Sequence, residues 1–319
     1  MKRVLIASQT FGQRSRKPFE MLEENGFEIT ENLTRKKYTE DELVAIIGEY
    51  DAVVVGSDPF TRRVQEAGKG RLKIMAKSGV GIDNIDLQAA KEFGIYVTST
   101  PGTVNTAVAD SAMGMILCLS RNIVTANIQQ KAGLWPRLSG EDLEGKTLGI
   151  VGLGEIGKKV AHRAQAFGME ILAYDAFPNR EYCEAHNIEL CDLDALFSRS
   201  DYISLHAPLT PQTRNMVNDR TIALMKPTVK LVNTARGGLV DEEALYRALK
   251  EGRIHSAALD VFQHEPTDSS HPLLKLDNCI VTPHIAGYSY EANYKSGIMV
   301  AENIIQAFSG TVPKNLVKY

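Results

Sequence analysis

One ten-residue segment, LGIVGLGEIG at 148–157, limits most strongly what this chain can fold into. An apolar run breaks there into Gly152, Gly154 and Gly157, the spacing of a tight turn from a β-strand into an α-helix. In a dinucleotide-binding turn the first glycine permits the turn, the second lets the backbone approach a pyrophosphate, and the third brings the helix against the strand. The segment therefore predicts phosphate binding at the amino end of a helix.

An acidic residue, Asp175, ends the next apolar run, EILAYD, 18 residues (175 − 157) after the last of these glycines. A carboxylate about 20 residues beyond the turn is typical of an acid that accepts hydrogen bonds from the adenosine ribose. Because a carboxylate repels a ribose phosphate, we expect NAD rather than NADP. The alternative is a nucleotide-free turn that uses glycine for steric reasons alone.

Length and charge narrow the class of protein further. A chain of 319 residues predicts about two domains. The net charge is −3 with both signs interspersed, which favours a small ligand over nucleic acid or a membrane surface. The four cysteines form no CxxC pair. The apolar run in the first ten residues, MKRVLIASQT, is too short for a signal peptide, so we expect a cytoplasmic protein. We expect no metal, since no His, Cys or carboxylate cluster has ligand spacing.

Short apolar β-rich runs alternate with helical patterns twice along the chain, which predicts an α/β fold with two doubly wound parallel-sheet domains. The predicted strands of the first set are 4–7, 27–30, 52–56, 72–76 and 95–99, with helices near 39–47 and 84–93. Those of the second set are 147–152, 170–175, 202–207, 230–235, 256–262 and 279–282, with helices near 155–167 and 241–251.

The position of the glycine turn predicts the domain organisation. A complete α/β unit precedes it, so we expect a cleft between two domains. A long helix candidate at 104–121 follows a hinge at 100–103, and a second crossing is expected near 287–292. We therefore predict a dinucleotide-binding domain at 101–288 and a discontinuous domain of residues 1–100 and 289–319, to which the last helix returns.

Three candidate catalytic residues follow predicted strands of the second domain. Arg236 lies in NTARGG, where a fixed guanidinium can hold a carboxylate through two parallel bonds. Glu265 and His284 can form an acid–base pair, because a carboxylate beside an imidazole favours the imidazolium and fixes its tautomer. Such a pair suits hydride transfer, which requires a partner for the hydroxyl proton. Taken singly, each is more often a surface charge, a loop acid or a capping or core histidine.

These motifs together resemble the D-isomer-specific 2-hydroxyacid dehydrogenases, and within that family the D-3-phosphoglycerate dehydrogenases. The matching blocks are LKIMAKSGVGIDNIDLQAA, LEGKTLGIVGLGEIGKKVA, LHAPLTPQTRNMV, LVNTARGGLVDEEAL, AALDVFQHEP and VTPHIAG. The resemblance implies a Rossmann NAD-binding domain inserted into a discontinuous, flavodoxin-like substrate domain. It also implies NAD-dependent oxidation of a D-2-hydroxy acid, 3-phosphoglycerate above all, as a step in serine biosynthesis.

The resemblance assigns a role to each matching residue. It makes Arg236 the residue that binds the substrate carboxylate and polarises the keto oxygen, His284 the general acid and base, and Glu265 its orienting partner. The backbone at Ser78, Gly79 and Val80 would receive the substrate carboxylate, although a glycine-rich turn before the next helix explains the same residues. The remaining residues would line the cofactor: Val80, Glu155, Ile156, Ala207, Pro208, Thr213, Thr234, Ala235, Asp260, which meets the nicotinamide carboxamide, and Gly287.

Some positions depart from the family pattern. Glu155 replaces a residue that is often basic in relatives, although the backbone amides there would still bind phosphate. Gly56 stands where many phosphoglycerate enzymes carry an arginine suited to a phosphate. Candidate phosphate partners are then Lys77, Arg62 and Arg63, the last two of which are better explained as a solvated charged face.

Other interpretations of the chain remain open. One is a reductase of another 2-keto acid, such as hydroxypyruvate, glyoxylate or 2-oxoglutarate. Another is a NAD-sensing binding protein, because related co-repressors keep the fold and the three candidate residues. Relatives also imply a homodimer through residues 123–145, with Trp135 as an anchor, whereas the alternative is an exposed loop. With the sequence stopping at Tyr319, we expect no C-terminal regulatory domain.

Overall fold

The computed structural model describes residues 1–34 and 36–318, which fold into parallel β-sheets and helices. The strands are β1 (Lys2–Ile6), β2 (Phe27–Glu31), β3 (Ala52–Val55), β4 (Ile74–Lys77), β5 (Tyr96–Thr98), β6 (Thr147–Val151), β7 (Glu170–Tyr174), β8 (Ile188–Leu190), β9 (Tyr202–Leu205), β10 (Lys230–Asn233), β11 (Ser256–Leu259) and β12 (Cys279–Val281). The helices are α1 (Lys17–Glu24), α2 (Glu40–Ile46), α3 (Arg62–Ala67), α4 (Leu87–Phe93), α5 (Asn105–Arg121), α6 (Ile123–Lys131), α7 (Glu155–Ala166), α8 (Arg180–Ala185), α9 (Leu193–Arg199), α10 (Asp219–Ile222), α11 (Glu242–Lys250) and α12 (Tyr290–Phe308).

The first of two compact units contains Met1–Val104 and Tyr288–Tyr319. Its five parallel strands are ordered β2-β1-β3-β4-β5. Strand β3 is buried along its whole length, which is why its sequence is an unbroken apolar run rather than an alternating one. Local signals begin the helices: the side chain of Thr39 and that of Glu42 form a capping box at α2, and Asp86 caps α4.

The second unit contains Asn105–Gly287 and a sheet of seven parallel strands in the order β12-β11-β10-β9-β6-β7-β8. Strands β9, β10 and β11 are buried along their whole lengths, between two hydrophobic clusters. The chain moves outward from β6 in one direction and then from β9 in the other. The crevice beyond the carboxyl ends of strands at such a reversal is where open α/β sheets bind ligands.

The predicted fold class is confirmed, and most predicted strands agree with the observed ones to within a few residues. The short edge strand β8 was not predicted, since its sequence, IEL, has too few residues to show a pattern. Helix α6 occupies the start of the segment 123–145 and has no buried residue. Its lack of an apolar buried face explains why it shows no helical periodicity.

Among the helices of the described residues, none is by itself long and apolar enough to cross a membrane. Helices α5 and α6 together have the necessary length and composition, but the pair is bent by 65°.

Candidate active site

The glycine turn lies between β6 and α7, at the point where the strand order reverses. Gly152 has φ +94°, and a Cβ there would lie 2.7 Å from the backbone nitrogen of Ala207 in the loop after β9. A Cβ on Gly157 would lie 2.2 Å from the carbonyl oxygen of Gly152. Both glycines are therefore required by close backbone approach, as the sequence predicts.

Gly154 differs from its two neighbours in the turn. A Cβ there would meet nothing within 4 Å, so packing does not explain this glycine. It is also the N-cap of α7, and it has no side chain to cap the first turn of the helix. The first-turn N–H groups, at Glu155 to Gly157, follow this open position, which is the arrangement in which the amino end of a helix binds a pyrophosphate. Glu155 has an exposed side chain, with its carboxylate 3.8 Å from Lys158 Nζ, and Ile156 packs on the core.

Asp175 follows β7 and bonds to the same turn. Its Oδ2 accepts the N–H of Leu153 at 2.7 Å and its Oδ1 accepts the N–H of Phe177 at 2.8 Å. Each carboxylate oxygen retains a further acceptor position for a hydroxyl group. The residues present therefore fit the adenosine ribose of NAD, with the acid fixed against the glycine turn.

The turn that follows β10 carries Arg236 and is held by the buried side chain of Asn233. The amide of Asn233 accepts the N–H of Ala235 at 3.0 Å and donates to the carbonyl of Arg236 at 2.9 Å. The guanidinium donates through Nη1 to the carbonyl of Ala235 at 2.8 Å. Within the described residues, the buried hydroxyl of Thr234 has no hydrogen-bond partner, which marks this turn as a place for a polar ligand group.

The loops after β10 and β11 touch through their backbones. A Cβ on Gly237 would lie 1.9 Å from the carbonyl carbon of Phe262 and 2.4 Å from the nitrogen of Gln263. The N–H of Phe262 donates to Glu265 Oε1 at 3.0 Å. Close packing at Gly237 thus sets the position of the loop that carries Glu265 relative to the turn that carries Arg236.

Glu265 and His284 form a direct pair, with Nδ1 of the imidazole 2.6 Å from Oε2 of the carboxylate. Burial by itself raises the pKa of Glu265, but the hydrogen bonds from His284 and Phe262 and the charges of His284 and Arg236 outweigh burial and leave the pKa below its ordinary value. The carboxylate is therefore ionised and accepts the proton of Nδ1. Nε2 is left as the nitrogen that can exchange a proton with a ligand.

Asp260, which is 1% exposed, holds the loop in which His284 lies. Its carboxylate accepts the N–H groups of Ile285 and Ala286, each at 2.8 Å, and the hydroxyl of Thr282 at 2.5 Å. His284 itself has φ +55°, a strained conformation for a residue with a Cβ. The bonds to Asp260 hold the backbone next to His284 in this uncommon conformation, which the sequence does not predict.

The remaining predicted cofactor residues of this unit lie in turns. Thr213 closes the turn that begins at Ala207 and Pro208, since its hydroxyl donates to the Pro208 carbonyl at 2.7 Å. Gly287 is the last residue of the unit. His206 bonds through Nε2 to the Ser204 hydroxyl at 2.8 Å, and burial lowers the pKa of its imidazole to about 4. His206 is thus neutral near pH 7, as expected for a packed histidine.

The loop of Ser78, Gly79 and Val80 lies in the first unit, after β4. The N–H of Ser78 donates to Val55 at 2.9 Å and that of Gly79 to the Thr100 hydroxyl at 2.9 Å. Among the described residues no such bond engages the N–H of Val80, whose side chain is exposed. Two of the three N–H groups of this loop are thus engaged by protein acceptors, and within the described residues that of Val80 is not.

The candidate phosphate partners are engaged with protein groups. Lys77 donates to the carbonyl of Gly56 and, at 2.9 Å, to the side chain of Asn84. Arg62 bonds to Glu92 at 2.7 Å and Arg63 to Asp41 at 2.5 Å. The two arginines thus form a solvated charged face, as the sequence indicates.

Gly56 has little room for a side chain. A Cβ there would lie 2.9 Å from Ser8 Cα and 3.0 Å from the carboxylate of Asp58. A glycine at position 56 is therefore required by the close approach of the segment after β3 to the segment after β1.

Three residues that shape the second unit are not predicted from the sequence: Asn233, Gly237 and Glu242. Asn233 binds the backbone of its own turn, whereas Gly237 and Glu242 contact the backbone of the loop after β11, and the pattern of a single segment does not reveal these last two contacts. Only Asn233 has a visible signal in the sequence, because it is a polar residue at the end of an otherwise apolar run. In the described part of the chain, no group of three or more His, Cys, Asp or Glu residues is placed to hold a metal ion.

Comparison with known proteins gives the family context of this geometry. The sequence model "D-isomer specific 2-hydroxyacid dehydrogenase, NAD binding domain" matches residues 113–286. The D-3-phosphoglycerate dehydrogenase of Methanocaldococcus jannaschii is 46% identical over 88% of this chain, and the match covers 54% of that protein, about half its length. The hydroxypyruvate reductase of Thermotoga maritima is 48% identical over 86% of this chain and 90% of that protein.

A solved structure shows the same architecture. The apo-structure of D-lactate dehydrogenase from Escherichia coli superposes with a TM-score of 0.88 at 32% identity, covering 100% of both chains. The matched sequence model describes a NAD-binding domain, and NAD is accordingly the cofactor of this chain.

Asp175 leads to a prediction about cofactor choice. We expect NADH to bind at least about 10-fold more tightly than NADPH, because the ribose phosphate would face a carboxylate. Asp175→Asn should reduce this ratio, since the amide oxygen can still accept the Leu153 N–H while the charge is gone. Fluorescence titration of both nucleotides measures the ratio.

A matched control removes an equal charge from the first turn of α7. Glu155→Gln should strengthen the binding of NADH and of NADPH alike and leave the ratio of the two affinities unchanged. Equal affinity of the parent protein for NADH and NADPH would contradict the role assigned to Asp175.

Proposed function

Because the chain belongs to the D-isomer-specific 2-hydroxyacid dehydrogenase family, we propose that it interconverts a short 2-keto acid and the corresponding D-2-hydroxy acid with NAD. The observation that carries the proposal is the 2.6 Å bond between Glu265 and His284, with the guanidinium of Arg236 close enough to lower the pKa of Glu265. The imidazole of His284, a possible proton donor, and the positively charged guanidinium of Arg236 thus lie together beyond the carboxyl ends of β10, β11 and β12. Reduction of a keto acid needs both groups.

His284 acts as the proton donor in this proposal. Glu265 holds Nδ1, so the protonated imidazole presents Nε2–H to the keto oxygen, and in the reverse direction neutral Nε2 accepts the hydroxyl proton. Arg236 binds the substrate carboxylate and polarises the keto group. Bound NADH supplies the hydride. The open space at Gly154, the free end of α7 and Asp175 are the features that would hold the nucleotide.

The identity of the 2-keto acid is the finer part of the proposal. We favour a substrate of the size of hydroxypyruvate, because Arg62 and Arg63 are paired with carboxylates, Lys77 is engaged by Gly56 and Asn84, and position 56 has no room for a side chain. A phosphorylated substrate would need another positively charged side chain to bind its phosphate, because these three are already engaged. The hydroxypyruvate reductase of Thermotoga maritima, which the chain matches over 90% of its length, supports this choice.

D-3-phosphoglycerate dehydrogenase is the second candidate, and it is the one that the sequence predicts. The 46% identity to the Methanocaldococcus jannaschii enzyme favours it, and Lys77 would supply the positive charge next to the Ser78–Val80 loop. This candidate would place the protein in serine biosynthesis.

A panel of 2-keto acids tests the function. We expect NADH oxidation with hydroxypyruvate, and a lower kcat/KM with glyoxylate and with phosphohydroxypyruvate. His284→Ala should lower kcat by about 10²- to 10⁴-fold with little change in NADH affinity. His264→Ala is the matched control, since His264 is a neighbouring exposed histidine without an assigned role, and it should keep the parent rate.

Three outcomes of the panel would change the proposal. The largest kcat/KM with phosphohydroxypyruvate would favour the second candidate. NADH binding without turnover of any 2-keto acid would indicate a NAD-sensing binding protein. An active His284→Ala variant would contradict the role of the imidazole.

We also propose a homodimer formed through residues 123–145. Five large apolar side chains are exposed there, including Trp135 at 79%: Ile123, Ile128, Leu134, Trp135 and Leu138. An exposed apolar patch of this kind is typical of a protein interface. The base of the segment is fixed, since the N–H of Glu141 donates to Ser120 at 2.9 Å and its carboxylate lies 3.0 Å from the buried ammonium of Lys230.

Sedimentation tests the dimer. We expect twice the chain mass for the parent protein, and a concentration-dependent shift towards the monomer in Trp135→Ala because an apolar anchor is removed. Phe177→Ala, which removes an exposed aromatic residue elsewhere in the same unit, should not change the mass. A parent protein that sediments as a monomer would contradict the proposal.

A further inference from the structure

A second carboxylate–imidazole pair lies behind the loop that carries Glu265. Glu242 is the first residue of α11, and its Oε2 lies 3.2 Å from Nε2 of His271. The two side chains are only 14% and 23% exposed, whereas Glu243, the next residue of the helix, is 83% exposed. A glutamate in the first turn of a helix normally remains in water. The burial of Glu242 therefore calls for a specific contact.

That contact is with the backbone of Gln263. The second carboxylate oxygen of Glu242, Oε1, accepts the N–H of Gln263 at 2.6 Å. The side chain of Gln263 donates in turn to the carbonyl of Val240 at 2.6 Å. Two short bonds thus fasten Gln263 to the amino end of α11.

The preceding N–H group of the same loop serves Glu265. Phe262 donates its N–H to Glu265 Oε1, and Gln263 donates its N–H to Glu242 Oε1. The two consecutive N–H groups therefore bind two carboxylates, each of which is paired with a histidine. The ring of His271 also packs against that of Phe262, with centroids 5.4 Å apart and planes at 75°. A rotation of this peptide segment would loosen both carboxylates together.

We infer that Glu242, oriented by His271, is a positioning residue for the Glu265–His284 pair. It acts by fixing the peptide that holds Glu265. The inference rests on the proposed function for the catalytic role of His284, but the geometry of the pair can be measured without turnover. The competing explanation is that Glu242 merely stabilises α11 by placing negative charge at its amino end, as Glu243 also does.

NMR signals of the His284 ring nitrogens report on its contact with Glu265. In the described part of the chain, the charged groups beside the pair include Arg236, from the loop after β10, and Asp260, which binds the N–H groups next to His284. His271 and Glu242 lie behind Phe262 and Gln263. If Glu265 moves away, the imidazolium loses the attraction of its carboxylate and releases its proton at lower pH.

Four single variants separate positioning from helix stability. Glu242→Ala removes the contact with Gln263. Glu242→Asp withdraws the carboxylate from Gln263 but keeps the negative charge at the amino end of α11, so the helix stays stable. Glu242→Gln keeps an oxygen that can accept the Gln263 N–H. Glu243→Ala removes the same charge from the same helix turn without any contact to the loop.

Two readouts are compared at a temperature where all variants are folded. Long-range ¹H–¹⁵N correlation spectra of histidine-labelled protein follow the ring nitrogens of His284 against pH. Steady-state kinetics give kcat and KM for the best 2-keto acid, and the Kd of NADH is measured by fluorescence.

Glu242→Ala and Glu242→Asp should lower the titration midpoint of His284 and decrease kcat by about 10- to 100-fold, with little change in the Kd of NADH. Glu242→Gln and Glu243→Ala should match the parent protein in both readouts. Midpoints that superimpose for Glu242→Ala, Glu242→Asp and the parent protein would overturn the inference, even if the parent reduces 2-keto acids. A parent protein that reduces none of them would overturn the proposed function, and the spectra would still decide the role of Glu242.

Discussion

Gly237 brings the loop after β10 into backbone contact with the loop after β11, at a distance that no side chain would permit. That contact places the turn of Arg236 beside the segment Phe262–Gln263, and this segment in turn holds Glu265. The position of His284 then follows from its bond to Glu265 and from the bonds of Asp260 to the neighbouring N–H groups. The positions of His284, the proposed proton donor, and of the guanidinium of Arg236 therefore depend on backbone packing. A Cβ at position 237 would disturb both.

Carboxylates bound to backbone N–H groups recur at the carboxyl ends of the strands in the second unit. Asp175 binds Leu153, Asp260 binds Ile285 and Ala286, and Glu265 binds Phe262. A charge-assisted bond of this kind is stronger than a neutral one, and it fixes a loop without an apolar core beneath it. The loops after β6, β11 and β12 are thus each tied to a carboxylate by hydrogen bonds. Such bonds suit a reaction that needs reacting groups at fixed distances.

The sequence predicts the fold well because the buried parallel strands leave unbroken apolar runs, and Gly152 and Gly157 mark the turn by steric necessity. It also predicts the pairing of Glu265 with His284, although they lie 19 residues apart, because both residue types follow predicted neighbouring strands. The contacts of Gly237 and Glu242 with the loop after β11 could not be predicted in the same way. They depend on which loops the strand order brings together, and a single segment does not contain that information.

The central claim is that His284, paired with Glu265, is the proton donor for keto-acid reduction, and the pH dependence of kcat/KM in Glu265→Gln tests it most directly. The pKa of Glu265 lies below its ordinary value, so the carboxylate is charged throughout the range from about pH 5 to 10 in which a histidine limb is measured. Reduction requires the imidazolium and is lost as the pH rises. Glu265→Gln removes the negative charge and keeps the shape, so the alkaline limb should move to lower pH, while oxidation of the hydroxy acid should gain activity at lower pH. An alkaline limb that stays at the parent position would contradict the claim.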